Sequence, residues 1–403
     1  MADVVLVGGG LASAAAAEAI RQDGFDGRVT LVTDEPHHPY ERPPLSKAVL
    51  MGDAPPDTAY VHAPDFYADH DIDVVTGDPV TGIDRHAGTV TTASGTERRF
   101  DRLLLATGAR PRTLPLGAGL DGVVTLRTLD DSVDLGRRLG ETRHVTIVGA
   151  GWIGCEVAAA ARHLGAAVTV VDPLATPLQR VLGPRIGAVF ADLHRANGVE
   201  LRLGVGVTDL RGDDAVRQVV TSDGSTIDTE LVVVGIGVVP NTELAERAGL
   251  GVDDGVLVDE TLVTADPRIF AAGDVASAWH PRYGRRLRVE HWANARHQGA
   301  AAGRNLLGAG EVHDRLPYFY SDQYDVGLEY VGLAGTDDDV VVRGDLAARE
   351  FIAFWLADGC VTAAMNLNVW DVVEDLEAIV GSGRRVDRSR LADPELPLAE
   401  VRS

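Results

Sequence analysis

The first hydrophobic stretch of the chain runs from Val4 to Val7 without a polar residue and ends at three successive glycines, Gly8 to Gly10. An uninterrupted apolar run of this kind is typical of a strand that is buried on both faces of a parallel sheet. The alanine-rich residues Leu11 to Ile20 predict a helix, and Arg28 to Val32 predict a second strand. The order of strand, glycine turn, helix and strand indicates a βαβ unit at the start of the chain.

The glycine turn of this unit has the chemistry of a dinucleotide site. Backbone N–H groups at a helix N-terminus have no partner within the helix, and the helix dipole favours an anion there. Gly8 permits the tight turn, Gly10 lets the backbone approach a pyrophosphate, and the small residue Ser13 allows close packing of helix on strand. An acid after the second strand, Asp34 or Glu35, is placed to bond an adenosine ribose. The full order of elements favours a dinucleotide site over an ordinary α/β turn.

The same pattern recurs from His144, with a strand to Val148, a helix from Cys155 to Leu164 and a strand from Ala167 to Asp172. The turn of this second unit is a complete G-x-G-x-x-G motif, made by Gly149, Gly151 and Gly154. Asp172 follows Gly154 by 18 positions, close to the spacing of about 20 that the motif requires. A carboxylate there accepts from the 2′-hydroxyl of NAD and repels the 2′-phosphate of NADP. Two such units predict two dinucleotides on one chain.

Three further apolar runs end at glycine and predict more strands. Leu103 to Ala106 ends at Thr107-Gly108, and Leu231 to Val234 ends at Gly235-Ile236-Gly237. A glycine at a strand end lets the backbone pass close to a ligand. The third strand, from Arg268, leads to Gly273-Asp274 and a predicted helix start, where the acid would bond a polyol and the helix N-terminus would hold phosphate.

From Leu316 onward the chain predicts strands rich in aromatic and β-branched residues. We interpret them as an antiparallel meander that a helix from about Val369 to Val380 follows. No nucleotide motif occurs in this part, which makes it a candidate interface domain. The predicted strands are Tyr318 to Tyr320, Gly327 to Gly332, Asp339 to Val342, Glu350 to Leu356 and Cys360 to Met365. The predicted fold class is α/β, with two Rossmann-like nucleotide-binding domains and a C-terminal α+β domain that has an antiparallel sheet.

Composition excludes several function classes. The 403 residues suggest two or three domains, and the net charge of −23 argues against nucleic acid as a partner. No run approaches the roughly 18 apolar residues of a membrane helix, and we find no signal peptide, so a cytoplasmic location is expected. Cys155 and Cys360 form no C-x-x-C pair. We therefore expect no metal cluster held by the chain's thiolates and no local redox disulfide.

Two charged residues call for a partner. Lys47 is the only lysine, and it stands at a predicted helix start, where a cation does not suit the helix dipole. It is either a solvated loop residue or a charge that the site requires. Glu156 lies among apolar helix residues, where a lone buried carboxylate is costly. It is either at a solvent-exposed helix end or faces the cofactor cleft with Lys47 as its partner.

A basic cluster follows the last predicted strand of the first fold. Such a cluster on an acidic chain is either a solvated face or a dock for an acidic partner, and the residues leave both interpretations open. The cluster consists of Arg282, Arg285, Arg286 and Arg288, with Arg296 and Arg304 beyond it.

Several of these stretches together carry a family resemblance that extends over essentially the whole chain. The chain resembles the FAD-dependent NADH:ferredoxin reductases that serve cytochromes P450 and ring-hydroxylating oxygenases. The most specific motif is Tyr40-Glu41-Arg42-Pro43-Pro44-Leu45-Ser46-Lys47. It is supported by Ala106-Thr107-Gly108-Ala109-Arg110-Pro111, Gly273-Asp274, Val289-Glu290-His291-Trp292 and Ser321-Asp322-Gln323-Tyr324.

The resemblance implies a glutathione-reductase-like architecture with three domains. Residues 1–110 and 241–315 would form the FAD-binding domain, 111–240 the NADH-binding domain and 316–403 the C-terminal interface domain. The expected FAD contacts are Gly8, Gly10, Leu11, Ala12, Asp34, Glu35, Arg42, Lys47, Val80, Ala106, Thr107, Gly108, Arg127, Gly273, Asp274, Trp292 and Tyr320. The expected NADH contacts are Gly149, Gly151, Trp152, Ile153, Gly154, Glu156, Asp172, Arg180, Gly235 and Gly237.

The resemblance also implies a mechanism. NADH passes a hydride to N5 of the flavin, and Lys47, held by Glu156, places positive charge near N5. Electrons then leave singly to an acidic iron–sulfur ferredoxin. If the basic cluster is a dock rather than a solvated face, this partner would bind at Arg282, Arg285, Arg286 and Arg288. Tyr320 stands where many relatives have a tryptophan, and it would shield less of the flavin.

Two alternatives stay open at this stage. One is an NADH oxidase or disulfide reductase, against which the missing cysteine beside Lys47 weighs. The other is an NADH-responsive binding protein of the apoptosis-inducing-factor type.

Overall fold

The computed structural model describes residues 2–117 and 119–401 and divides into two compact units. The first unit comprises Met1–Arg42, Asp57–Arg110 and Val238–Arg315. The second comprises Pro43–Pro56, Pro111–Gly237 and Leu316–Ser403. The division into three domains stays a prediction.

A five-stranded parallel sheet forms the centre of the first unit. Its strands are β1 (Asp3–Val7), β2 (Arg28–Val32), β3 (Ile72–Val75), β7 (Arg102–Leu105) and β19 (Ile269–Ala271). They lie in the order β19-β7-β1-β2-β3, and their apolar runs are buried on both faces, as a parallel sheet requires. Helices α1 (Leu11–Gln22) and α8 (Trp292–Leu306) pack closely against each other. The contact requires glycine at position 299, because a Cβ atom there would lie 2.3 Å from the carbonyl oxygen of Ala12.

Smaller elements complete the first unit. They are helices α3 (Asp65–Asp69) and α7 (Glu243–Arg247), the antiparallel sheet of β4 (Val80–Asp84), β5 (Thr89–Thr92) and β6 (Glu97–Arg99), and the three-stranded sheet of β18 (Val256–Val258), β20 (Ala276–His280) and β21 (Arg285–Leu287). Two short strands, β8 (Ala109–Pro111) and β17 (Val238–Pro240), stand where the chain passes from one unit to the other.

The predicted helix after Asp274 is wrong. Residues Gly273–Val275 form a single 3₁₀ turn, and the chain then continues as β20, which pairs with β18 in parallel. The buried residues of β20 are held by sheet pairing rather than by helical hydrogen bonds. The segment after Asp274 therefore offers no α-helix N-terminus to a phosphate.

The second unit repeats the parallel sheet of the first. Its strands are β9 (Val123–Val124), β10 (His144–Val148), β11 (Ala167–Asp172), β12 (Val199–Leu203) and β16 (Leu231–Val234), in the order β12-β11-β10-β16-β9. Four helices belong to this part: α2 (Ala48–Met51), α4 (Leu129–Glu141), α5 (Trp152–His163) and α6 (Gln179–Ala196). A small antiparallel sheet contains β13 (Val207–Gly212), β14 (Val216–Thr221) and β15 (Thr226–Asp228).

The C-terminal part of this unit is an antiparallel sheet with two helices, α9 (Val373–Ser382) and α10 (Arg388–Ala392). Its strands are β22 (Tyr318–Gln323), β23 (Val326–Gly332), β24 (Asp339–Asp345), β25 (Glu350–Ala357) and β26 (Cys360–Leu367). The predicted meander is wrong, because the order is β22-β23-β26-β25-β24. Strands β25 and β26 are buried over nearly their whole length and take central positions, whereas the more exposed β24 lies at an edge.

Among the described residues, no helix is long and apolar enough to cross a bilayer.

Candidate functional site

The turn between β1 and α1 has one crowded and one open glycine. Gly8 adopts a φ of +121°, and a Cβ atom there would lie 2.1 Å from the carbonyl oxygen of Ala106. Gly10 is the N-cap residue of α1, and nothing lies within 4 Å of the position that its Cβ atom would take. The backbone at Gly10 is thus open to a ligand, and this cradle fits the pyrophosphate of a dinucleotide.

Glu35, rather than Asp34, is held beside this turn. Tyr40 is buried and forms a backbone bridge with Gly10, and its hydroxyl donates a hydrogen bond to Oε2 of Glu35. Nη2 of Arg42 lies 3.6 Å from Oε1 of the same carboxylate, whereas the side chain of Asp34 is exposed. Of the two acids predicted for the adenosine ribose, Glu35 has the positioned carboxylate.

The end of β7 is clamped by Asn241, which no sequence motif marked. The hydroxyl of Thr107 donates to the carbonyl oxygen of Asn241, and Nδ2 of Asn241 donates back to the carbonyl oxygen of Thr107, each over 2.8 Å. The N–H of Asn241 donates to the carbonyl oxygen of Gly108 over 2.9 Å. The predicted FAD segment Ala106 to Gly108 therefore has a fixed backbone at the edge of the sheet.

Gly273 brings the segment after β19 against α1. Its φ is +78°, and a Cβ atom there would lie 3.1 Å from that of Ala12. Its N–H donates to Oε1 of Gln298 over 2.9 Å. Asp274, directly after it, therefore stays beside the first dinucleotide turn even though no helix begins there.

The remaining FAD candidates of the first unit are scattered over its elements. Leu11 and Val80 are buried. Trp292 is the first residue of α8, and the guanidinium carbon of Arg296 lies 5.4 Å from the centroid of its ring.

The turn between β10 and α5 in the second unit has the same design. Gly149 has a φ of +107°, and a Cβ atom there would lie 2.3 Å from the carbonyl oxygen of Gly235. A Cβ atom at Gly154 would lie 1.9 Å from the carbonyl oxygen of Gly149, so this position serves helix–strand packing. Gly151, the N-cap residue of α5, has nothing within 4 Å on its Cβ side. The second turn therefore also fits a pyrophosphate.

Asp172 ends β11 with its carboxylate turned to this turn. Oδ2 accepts a hydrogen bond from the N–H of Ala150, and Oδ1 accepts one from the N–H of Leu174, each over 2.7 Å. Each oxygen has accepted one of these bonds and keeps a further lone pair for a ribose hydroxyl.

The rim of the second turn carries exposed apolar side chains. Ile153 is 43% exposed and Ile236 is 37% exposed, and Gly237 follows with a φ of +98°. Arg180 is exposed in the first turn of α6, before a break at Gly183. Trp152, also predicted to contact NADH, packs its ring against Phe319 with centroids 4.7 Å apart.

The structure pairs Lys47 with Glu156, as the sequence predicted. Nζ of Lys47 lies 2.9 Å from Oε1 of Glu156, and the two side chains are only 19% and 6% exposed. Lys47 is the N-cap residue of the short helix α2 rather than a residue of its first turn. Both the solvated-loop interpretation of Lys47 and the exposed-end interpretation of Glu156 are therefore wrong.

Two serines complete the coordination of the Glu156 carboxylate. The hydroxyl of Ser46 donates to Oε2 over 2.5 Å, and the hydroxyl of Ser321 donates to Oε1 over 2.7 Å. The sequence analysis did not predict either serine as a site residue, although Ser46 lies in the motif from Tyr40 to Lys47 and Ser321 begins the Ser-Asp-Gln-Tyr run. Their only local signal is their place beside Lys47 and in the Ser-Asp-Gln-Tyr run.

The surroundings of this pair are aromatic and contain a thiol. Nζ of Lys47 lies 5.6 Å from the centroid of the Tyr320 ring, within the range of a cation–π contact. Cys155 is fully enclosed, and burial raises the pKa of its thiol. A protonated thiol outside any disulfide is unsuited to redox chemistry.

Arg127, predicted to contact FAD, immediately precedes Thr128, the N-cap residue of α4.

The members of the basic cluster in the first unit differ in exposure and in the contacts of their guanidinium groups. Arg288 is 10% exposed and forms ion pairs with Asp254, at 3.1 Å, and with Glu290. Arg286 donates to the carbonyl oxygens of Val258 and, over 2.9 Å, of Ser277. Arg282, Arg285 and Arg286 are exposed, as is Arg296 beyond them, whereas Arg288 and Arg304 are partly buried.

Each of the two parallel sheets carries an open glycine turn, so the chain fits two dinucleotides. An oxidoreductase that uses both a nicotinamide and a flavin dinucleotide needs two such sites. The sequence profile of the pyridine nucleotide-disulphide oxidoreductase family matches residues 2–299, and the reductase C-terminal profile matches residues 318–402.

Individual relatives point to one branch of this class. The ferredoxin reductase subunit of 5,5′-dehydrodivanillate O-demethylase from Sphingobium sp. is 40% identical over 99% of this chain and 98% of its own. The crystal structure of the ferredoxin reductase for the CYP199A2 system of Rhodopseudomonas palustris covers all of both chains, with 38% identity and a TM-score of 0.96. Putidaredoxin reductase in its covalent complex with putidaredoxin covers 99% of this chain and 98% of its own, with 37% identity and a TM-score of 0.95.

The chain therefore belongs to the family of FAD-dependent NADH:ferredoxin reductases. The fold class, the enzyme class and the cofactors FAD and NADH that the sequence predicted are confirmed. The individual contact residues stay predictions.

Proposed function

We propose that this protein passes electrons from NADH through FAD to a small iron–sulfur ferredoxin that feeds a cytochrome P450 or another oxygenase. Bound FAD supplies the chemistry that converts a two-electron hydride donor into a one-electron source. The observation that carries the proposal is the buried pair of Lys47 and Glu156, 2.9 Å apart, in a chain with two open dinucleotide turns.

A buried ion pair is an expensive way to stabilise a fold, since desolvation offsets much of its Coulomb energy. This chain nevertheless keeps its only lysine in such a pair. We assign Lys47 the role of supplying positive charge to the flavin when negative charge develops on its reduction. Glu156 orients the ammonium, and the hydroxyls of Ser46 and Ser321 orient Glu156.

The cofactor contacts are proposed by unit. In the first unit, FAD is held by the turn at Gly8 and Gly10, by Glu35, by Thr107 and by Asp274. In the second unit, NADH is held by the turn from Gly149 to Gly154 and by Asp172. Lys47, Arg127 and Tyr320 are the FAD contacts proposed from the second unit.

The electron acceptor follows from the relatives and from surface charge. Two of the relatives described above are named as ferredoxin reductases, and the third, putidaredoxin reductase, was crystallised in a covalent complex with putidaredoxin. We place the dock at Arg282 and Arg285, because their exposed charges stand out on a chain of net charge −23. Arg286 is exposed beside them with its guanidinium bonded to two backbone carbonyl oxygens, and the partly buried Arg288 lies next to this surface along the chain.

The first test is the absorption spectrum of the purified protein. We expect flavin bands that bleach when NADH is added under nitrogen, and fast cytochrome c reduction only when a ferredoxin is supplied. A colourless protein that gains no chromophore during refolding with FAD would contradict the proposal. Slow turnover with an NADH-dependent change in sedimentation would instead support a binding protein.

A further inference from the structure

A buried histidine that no motif marked is joined to the residues around Glu156. His194 lies near the end of α6 and is enclosed by the second unit. Its Nε2 atom is 3.1 Å from Oε1 of Gln323, and its Nδ1 atom is 3.1 Å from the hydroxyl oxygen of Tyr324. Both partners belong to the Ser-Asp-Gln-Tyr run.

The connection continues through β22 to the carboxylate. Nε2 of Gln323 donates to the hydroxyl oxygen of Ser321 over 3.3 Å, and that hydroxyl donates to Oε1 of Glu156 over 2.7 Å. Gln323, Ser321 and Glu156 are all buried. A continuous line of hydrogen bonds therefore runs from Tyr324 and His194 to the ion pair with Lys47.

One direction of donation satisfies every member of this line. The carboxylate of Glu156 can only accept hydrogen bonds, so the single O–H group of Ser321 donates to it. The oxygen of Ser321 therefore accepts the hydrogen bond from the amide of Gln323. The amide oxygen then faces His194, which donates from Nε2 and accepts the hydroxyl proton of Tyr324 at Nδ1. This tautomer requires a neutral imidazole, and burial lowers the pKa of His194 to about 4.

We propose that His194 and Gln323 are positioning residues that, through Ser321, fix the carboxylate of Glu156 and with it the ammonium of Lys47. The inference rests on the proposed role of Lys47 in flavin reduction. Without the amide donor, the Ser321 hydroxyl is free to rotate away from Glu156. The carboxylate then loses a hydrogen bond to a charged acceptor, which is stronger than one between neutral groups.

The test uses the FAD-loaded enzyme with His194→Leu and Gln323→Met. We expect each variant to slow flavin reduction by NADH about tenfold in stopped flow, the effect of one lost hydrogen bond to a charged group, with the Kd for NADH unchanged. His194→Gln supplies an N–H group near the position of Nε2 and is expected to restore most of the rate. His163→Leu, the same change at an exposed position of α5, is the matched control.

A double-variant cycle separates positioning from a structural role. In a Lys47→Met background, His194→Leu is expected to cause no further loss of rate, because both changes act through the same ammonium. A merely structural residue would multiply the two losses. Ser321→Ala interrupts the same line by removing one oxygen atom, so it keeps the test available if His194→Leu fails to fold.

The outcomes distinguish this inference from the proposed function. If Lys47→Met is slow while Ser321→Ala and His194→Leu reduce their flavin at the wild-type rate, the positioning role is wrong and the role of Lys47 stands. Multiplied losses in the double variant lead to the same conclusion. If Lys47→Met itself reduces at the wild-type rate, both are wrong.

Discussion

The N–H of Ala150 donates a hydrogen bond to Oδ2 of Asp172 over 2.7 Å, so the acid at the end of β11 holds the glycine turn that follows β10. The residue predicted to bind the NADH ribose thus also fixes the backbone predicted to bind the pyrophosphate. One carboxylate links the two halves of the nucleotide site.

Replacement of Asp172 is expected to affect both affinity and cofactor preference. Asp172→Ala removes the acceptor for Ala150 and the charge that repels a 2′-phosphate, so the KM for NADH should rise about tenfold and the preference over NADPH should narrow. Asp172→Asn keeps an acceptor oxygen and should mainly change the preference. The measurement is kcat/KM for NADH and for NADPH. If the ratio of these two values is the same in the variants as in the wild type, Asp172 does not bind the ribose.

Two glycines of the same turn should respond differently to alanine. At Gly154 the added Cβ atom would meet the carbonyl oxygen of Gly149 at 1.9 Å, and we expect a loss of about 1–3 kcal/mol in the free energy of unfolding. At Gly151 the space is open, so Gly151→Ala should fold as the wild type does and raise only the KM for NADH. Thermal unfolding and steady-state kinetics of the pair provide the comparison. Equal stability of the two variants would contradict the packing role of Gly154.

The buried pair predicts a non-additive effect on stability. Lys47→Met leaves the carboxylate of Glu156 buried without its cation, and we expect a loss of about 3 kcal/mol in the free energy of unfolding. The double variant Lys47→Met/Glu156→Gln removes both charges and should lose less than Lys47→Met alone. Denaturant unfolding of Lys47→Met, Glu156→Gln and the double variant tests this. If the loss in the double variant equals the sum of the losses in the two single variants, the pair is not coupled.

Charge reversal at the exposed arginines should weaken ferredoxin binding. Arg285→Glu is expected to raise the KM for ferredoxin at low ionic strength, and the effect should shrink as salt is added. NADH-dependent reduction of ferricyanide should not change. Arg99→Glu, at another exposed position of the first unit, is the matched control. If both variants raise the KM equally, only net charge matters and the dock is elsewhere.

Asp266 predicts a pH-dependent contribution to stability. Hydrogen bonds from Arg268, and a further one from Arg85, lower the pKa of this buried carboxyl from 3.8 to about 2. Because the pKa of Asp266 is lower in the folded protein than in the unfolded chain, its carboxylate stabilises the fold at pH values above 3.8. This stabilisation is lost as the pH falls from 3.8 toward 2. Asp266→Asn should therefore cost about 2 kcal/mol at pH 7 and about half of that near pH 3. Thermal unfolding against pH, with exposed Asp26→Asn as the control, measures it. A difference that stays constant down to pH 3 would contradict this assignment.

Local patterns predicted the nucleotide folds well. Strands β2 and β11 begin and end at the predicted residues, because an uninterrupted apolar run next to a glycine turn carries its own signal. The C-terminal sheet was predicted strand by strand but not in its order. Strand order depends on which strands bury both faces, and that is a property of the packed sheet.

The sequence by itself determined that the chain has two dinucleotide turns, an acid after each, and one lysine whose position needs a partner. Only the tertiary structure decided how Glu156 is held, since Lys47 and Glu156 are 109 positions apart and the line from His194 to Ser321 joins two separate elements. It also showed that Arg288 is engaged inside its unit while Arg285 is exposed. The physical reason is that glycine turns and apolar runs act on neighbouring residues, whereas a buried charge is satisfied by whichever donors folding brings to it.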